Sequence, residues 1–176
     1  MSAPDTPPTG TRVLSGRAWV FGDDVDTDVL APGLYMKGGV EALAAHCLET
    51  LDPEFAGNVA PGDIVVGGRN FGMGSSREQA VMALNQLQVG AVVAESFARI
   101  FFRNAMNLAL PVLACDAAKS IRAADGLEID PVSGVLRNTT QDQTLQCAPI
   151  PAHLMAMIED GGLLPHLKKK LKASAA

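Results

Sequence analysis

Between Asp63 and Asp116 the apolar residues come in short solid blocks separated by amphipathic stretches. "DIVVGG" is a block of strand length, "GAVVAES" a second and "LPVLAC" a third. Strands covered on both faces read as unbroken apolar runs, whereas half-solvated strands alternate. Between the blocks, Ala80, Ala83, Leu84 and Leu87 fall on one helical face, and Phe97, Ile100, Phe101 and Ala105 on another. Strand–helix–strand–helix–strand with solid strands predicts an α/β domain with a mainly parallel central sheet flanked by helices.

The flanks are less regular. "GRAWVFG", Gly16 to Gly22, reads as a short strand, and "DDVDTDVLAPGLYMKGG" as a long loop. In "VEALAAHCLETL", Val40, Leu43, Ala44, Cys47, Leu48 and Leu51 recur at helical spacing. "GLEIDPVSGVLRN" places a Pro-Val-Ser-Gly turn between two short strands, which predicts a hairpin. "PAHLMAMIEDGG" reads as a last helix stopped by glycines. Residues 1–16, rich in Pro, Thr and Ser with almost nothing to bury, are expected to form a disordered arm. Residues 17–176 then make a single domain, without internal repeat or linker.

Composition narrows the function. The 176 residues are 48% hydrophobic, enough for a packed core. A net charge of -5 offers no basic face for nucleic acid. The basic run "HLKKKLK", His166 to Lys172, reads as a solvated helix end whose cations suit the C-terminal dipole. Cys47, Cys115 and Cys147 are isolated and odd in number, so they fit neither a disulfide framework nor zinc or iron–sulfur spacing. They read as buried reduced thiols of a cytoplasmic protein. His46, His153 and His166 are scattered without ligand spacing, so no metal site is expected on this chain. No charged-then-apolar leader opens it, and no apolar run reaches membrane-spanning length, which argues against secretion and membrane insertion.

The stretch with most chemistry is "NFGMGSSRE", Asn70 to Glu78. Gly72 and Gly74 allow positive φ and close approach of a ligand to the backbone. Ser75-x-x-Glu78 and Ser76-x-x-Gln79 both satisfy a capping box, which would aim helix N-terminal amides at the loop. Arg77 adds a guanidinium able to grip a carboxylate or phosphate at two points. The combination is suited to a small anion. It lacks the Lys-Ser/Thr ending of a P-loop and the spacing of a dinucleotide fingerprint. An ordinary capped helix after a Gly-rich turn answers to the same spacing.

Three ordered motifs carry a resemblance: "DVDTDVLAP" with "YMK" behind it, "GDIVVGGRNFGMGSSREQA", and "AVVAESFARIFFRNAMNLALPVL". Together they resemble the small-subunit family of 3-isopropylmalate dehydratases, which corresponds to the mobile swivel domain of aconitases and homoaconitases. The match is clear from Trp19 to Asp116 and looser beyond. The resemblance implies a swivelling β/β/α fold and a large partner subunit, in a heterodimer or heterotetramer. The partner would carry a 4Fe-4S cluster on its own cysteines. Family reactions dehydrate a hydroxy di- or tricarboxylic acid and rehydrate it at the neighbouring carbon.

Carried onto this chain, the resemblance makes Ser75 the proton-abstracting base, with Ser76, Arg77 and the Gly74 backbone holding substrate carboxylate. Asp26, Thr27 and Asp28 match a family element that either orients the substrate loop and active-site groups or merely makes an Asx-type turn. Arg99, Arg103 and Asn104 match a family helix and read as ion-pair or interface residues. The loop after Tyr35 is where the family reads the substrate's variable group. Met36 suits a branched alkyl group there, whereas Lys37 stands where an arginine would meet a further carboxylate. The substrate expected is isopropylmalate, of leucine biosynthesis. Homoaconitate-like and methyl-substituted malates are alternatives, as is a non-catalytic anion-binding swivel module. Met73 and Gln79 depart from the family pattern, at positions that leave Ser75, Ser76 and Arg77 intact.

Overall fold

The computed structural model describes residues 12–175 and sets β1 (Leu14–Val20) at the centre of a seven-stranded sheet. Next come α1 (Thr27–Leu30), a 3₁₀ helix (Gly33–Gly38), α2 (Gly39–Ala45), α3 (Phe55–Asn58) and β2 (Ile64–Gly67). Then α4 (Gln79–Gln86), β3 (Ala91–Ala94), α5 (Arg99–Asn107) and β4 (Val112–Ala114) complete the region of apolar blocks. β5 (Gly126–Ile129), β6 (Val135–Asn138) and β7 (Gln143–Gln146) precede α6 (Ala152–Glu159) and α7 (Leu163–Ser174). The spatial order is β4-β3-β2-β1-β5-β6-β7.

The sheet is mixed. β1, β2, β3 and β4 are parallel neighbours, as the three solid blocks imply, and all four residues of β2 and of β3 are buried. β5, β6 and β7 continue from the other side of β1 as an antiparallel meander. Its burial alternates, with Leu127 and Ile129 inward on β5 and Leu136 and Asn138 on β6. The hairpin expected from "GLEIDPVSGVLRN" is therefore present, extended by a third strand. "QTLQ" buries only Leu145, too little apolar signal to be read beforehand.

Several boundaries differ from expectation. Leu14, Ser15 and Gly16 belong to the central strand, with Leu14 opposite Ile129, because β5 supplies a partner that local composition does not reveal. Residues 1–11 of the expected arm lie outside the described residues. α2 stops at Ala45, and Leu48 takes a left-handed φ of 61° to turn its N–H toward the Val29 carbonyl, 2.9 Å away. Leu51 consequently faces solvent, 53% exposed. Ile100, expected inward, is 48% exposed, because the buried stripe of α5 runs through Phe101, Ala105 and Met106. Among the described residues no helix is long and apolar enough to cross a membrane.

Two carboxylates tie the sheet to its loops. Asp63, 5% exposed, accepts from the N–H groups of Arg17 and Ala60 and from Trp19 Nε1, all within 3.0 Å. Asp23 accepts from the Arg69 N–H at 2.8 Å and its guanidinium at 3.1 Å, with Lys119 Nζ 3.4 Å away. The Arg69 backbone bond, then its guanidinium, hold the Asp23 carboxyl at about 2. A folded-state value below the ordinary one gives a contribution present above the ordinary value and lost as pH falls through the folded one. The melting-temperature gap between wild type and Asp23→Asn is therefore expected to be full at pH 6 and to close between pH 4 and 2. Calorimetry across that range checks it; the pair is solvent-exposed, so the gap is modest.

Candidate functional site

The backbone ladder of β1, β2 and β3 does not stop where the strands end. The Phe21 N–H donates to the Val66 carbonyl (2.7 Å), Gly68 to Gly22 (3.0 Å), Asp24 to Arg69 (2.8 Å) and Gly72 to Val25 (2.7 Å). On the other side Glu95 donates to Gly68 (3.0 Å), Phe71 to Ser96 (3.0 Å) and Ala98 to Phe71 (2.9 Å). The three loops thus leave the carboxyl ends of three parallel strands as one braid. Open parallel sheets place their ligand sites at that edge.

Glycines let the braid close. Gly72 has φ +81°, and a Cβ there would lie 2.2 Å from the Phe101 ring. Phe71, Phe97 and Phe101 form the aromatic floor beneath it, with Phe71 and Phe101 edge-to-face at 5.3 Å. Gly74 has φ +102°, and a Cβ would sit 3.0 Å from the Asp26 carboxylate and from the Thr27 hydroxyl. Ser75 and Ser76 follow, both exposed. The Ser75 N–H donates to Thr27 Oγ1 at 3.1 Å, and the two hydroxyl oxygens are 3.2 Å apart.

The structure corrects one step of the sequence reading. α4 begins at Gln79 with Glu78 as its N-cap, and no side chain caps it, so neither serine closes a capping box. Thr27 takes up the Ser75 amide instead. The N–H groups of Ser76, Arg77, Glu78 and Gln79 have no acceptor among the described residues. The free amides thus fall where the serines' spacing predicts, whereas the helix itself begins about one turn later.

Arg77 serves the fold as well as the site. One guanidinium nitrogen donates to Asp28 Oδ1 and to the Ala31 carbonyl, 2.9 Å away. The Gly33 N–H donates to the same Asp28 oxygen at 3.1 Å. Arg77, and then the Gly33 amide, hold the Asp28 carboxyl below its ordinary range. Asp26 caps α1 by accepting from the Asp28 N–H at 2.6 Å. The Asp-Thr-Asp element therefore both makes the Asx turn and carries the contacts to Ser75 and Arg77. The Ala31 carbonyl is a partner that no side-chain motif could reveal.

The expected substrate loop is the 3₁₀ helix Gly33–Gly38. Residues three apart eclipse in such a helix, so Leu34 and Lys37 share a face. Leu34 is 84% exposed and Met36 36%, with Lys37 also in solvent. Tyr35 turns back to stack on His46, with ring centroids 3.5 Å apart. Sequence reasoning passed over Leu34, whose exposure depends on the turn type. On α5, Asn104 Nδ2 donates to the Ser76 carbonyl at 3.4 Å, a loop contact rather than an ion pair. Arg99 and Arg103 are exposed and make no ion pair among the described residues.

The donor set around Ser75 consists of hydroxyls, amides and a guanidinium, which suits a carboxylate and not iron. Cys47, Cys115 and Cys147 are free thiols buried in the core. Among the described residues no three His, Cys, Asp or Glu side chains converge as metal ligands.

Comparison with known proteins places the chain by sequence and fold. Residues 44–117 match the model of the aconitase C-terminal domain. The 3-isopropylmalate dehydratase small subunit of Methanosarcina mazei is 47% identical over 89% of this chain and 97% of its own. The methanogen homoaconitase small subunit of Methanothermobacter thermautotrophicus is also 47% identical, over 90% of this chain and 93% of its own. A crystal structure of 3-isopropylmalate dehydratase from Methanocaldococcus jannaschii superposes with a TM-score of 0.88 at 39% identity. It covers 93% of this chain and 98% of that one. Sequence and fold together make this chain a member of the 3-isopropylmalate dehydratase small-subunit family, built on the aconitase C-terminal domain.

Proposed function

We propose that this chain is the small subunit of a hydro-lyase that interconverts 3-isopropylmalate and 2-isopropylmalate, a step of leucine biosynthesis, by dehydration and rehydration. It acts only with a large subunit, as a heterodimer or heterotetramer, in the cytoplasm where its three thiols stay reduced. The observation that supports this most is an exposed Ser75 followed by four amides without acceptors and a guanidinium held in place by Asp28. A 4Fe-4S cluster on the large subunit would supply the Lewis acid for the substrate hydroxyl. This chain's share is the proton and the carboxylate.

Ser75 removes the proton alpha to a carboxylate. A serine hydroxyl is a poor base in water, but the free amides and Arg77 favour negative charge on its oxygen once a partner closes off solvent. Ser76 and Arg77 bind the carboxylate, and Gly74 allows it close to the backbone. Leu34 and Met36 present apolar surface to the isopropyl group, which favours the alkyl substrate.

Lys37 supports a second reading, a homoaconitase-like substrate with one more carboxylate. Both are tested by reconstituting the chain with its cluster-bearing partner on 3-isopropylmalate, homoaconitate and a methyl-substituted malate. Isopropylmalate is expected to be the best substrate, with Lys37→Ala within about threefold of wild type, as for an exposed side chain outside the contact. A selective loss on the tricarboxylate would install the second reading. Failure to associate with any large subunit would leave a non-catalytic anion-binding module.

A further inference from the structure

Thr27 is 1% exposed, yet its hydroxyl meets the exposed Ser75 twice. Its backbone N–H donates to the Met73 carbonyl at 2.8 Å, and its Oγ1 accepts the Ser75 N–H at 3.1 Å. Thr27 therefore grips the chain on both sides of Gly74, the residue whose freedom would otherwise let the Ser75 side chain wander. Asp26 fixes Thr27 in turn by capping α1.

The hydroxyl has one proton to give. One of its oxygen lone pairs is taken by the Ser75 amide, and no other acceptor for its O–H is present among the described residues except Ser75 Oγ, 3.2 Å away. With Ser75 neutral, either oxygen can donate. With Ser75 deprotonated, only Thr27 can.

We propose that Thr27 is a positioning residue for Ser75, orienting its side chain and donating to its oxygen in the charged form. This rests on Ser75 being the base. In the step itself the alkoxide takes the substrate's alpha proton, and the C–H electron pair stays on the substrate. The Thr27 proton remains on Thr27, and its hydrogen bond weakens as Ser75 becomes neutral.

The test uses the complex reconstituted with its large subunit. Thr27→Val keeps the shape and removes the hydroxyl. It is expected to lower kcat about 10–100-fold, with KM within about threefold, since the lost donor acts on charge at the reacting oxygen. Thr27→Ser and Thr27→Ala both lack the methyl group and differ by the hydroxyl alone. Thr27→Ser is expected to stay within about threefold of wild type and Thr27→Ala to fall with Thr27→Val. This second pair decides the matter even where Thr27→Val fails to assemble. Adding Thr27→Val to Ser75→Ala is expected to cost nothing further, because two groups acting as one unit are not additive. Equal kcat for the serine and alanine variants would overturn the proposal. A fully active Ser75→Ala would instead overturn the assignment of the base, so the two failures are distinguishable.

Discussion

Replacing Ser75 with alanine is expected to lower turnover of the reconstituted complex by about 10²–10⁴-fold, the usual contribution of a positioned base. The same change leaves the fold intact. Ser75 is exposed, and among the described residues its hydroxyl hydrogen-bonds only to that of Thr27, which keeps its bond from the Ser75 amide in the variant. Losing the acceptor for the buried Thr27 O–H costs about 1 kcal/mol, too little to unfold the domain. Circular dichroism and co-elution with the large subunit should be unchanged while kcat collapses. The cleanest readout is exchange of the alpha hydrogen for solvent deuterium, followed by mass spectrometry. Exchange at the wild-type rate in Ser75→Ala would exclude this hydroxyl as the proton acceptor.

Arg77→Ala is expected to reduce kcat/KM by about 10²–10³-fold, the scale of losing two charge-assisted hydrogen bonds to a carboxylate. One guanidinium nitrogen is committed to Asp28 and the Ala31 carbonyl, and the remaining N–H groups have no acceptor among the described residues. One planar group therefore braces the loop ahead of Gly33 and keeps an edge for the substrate. Lysine restores the charge but cannot serve both directions at once. Arg77→Lys is expected to recover less than about tenfold of the loss, since a point charge lacks the fork geometry. Steady-state kinetics on wild type and the two variants decide this. Full recovery in Arg77→Lys would mean that only charge matters at this position.

Much of the architecture was legible in advance, and the gaps have physical causes. The solid blocks "IVVG", "AVVA" and "VLA" became adjacent parallel strands because only two-sided burial tolerates such runs. Ser75 and Arg77 stood out as chemistry in a glycine-bounded loop, and Asp28, from the separate Asp-Thr-Asp element, lies against Arg77. Spacing failed where tertiary partners overrode local preference. The serines fit a capping box, yet the Ser75 amide went to Thr27, distant in sequence. β7 and the first turn of β1 carry too few apolar residues to be read without their neighbours. Ile100 and Leu51 obey a helical period that the helix itself does not reach or does not bury.

The seat of β1 at the middle of the sheet has a consequence for biogenesis. This strand leaves the ribosome before either of its partners, so Leu14 waits for Ile129 and Ala18 for Ile64. Until the meander emerges, its backbone groups on that side have no mate, and such long-range closures are slow. A nascent chain in this interval presents an open β-edge, so it is during translation, rather than in the finished molecule, that this protein should depend most on chaperone cover.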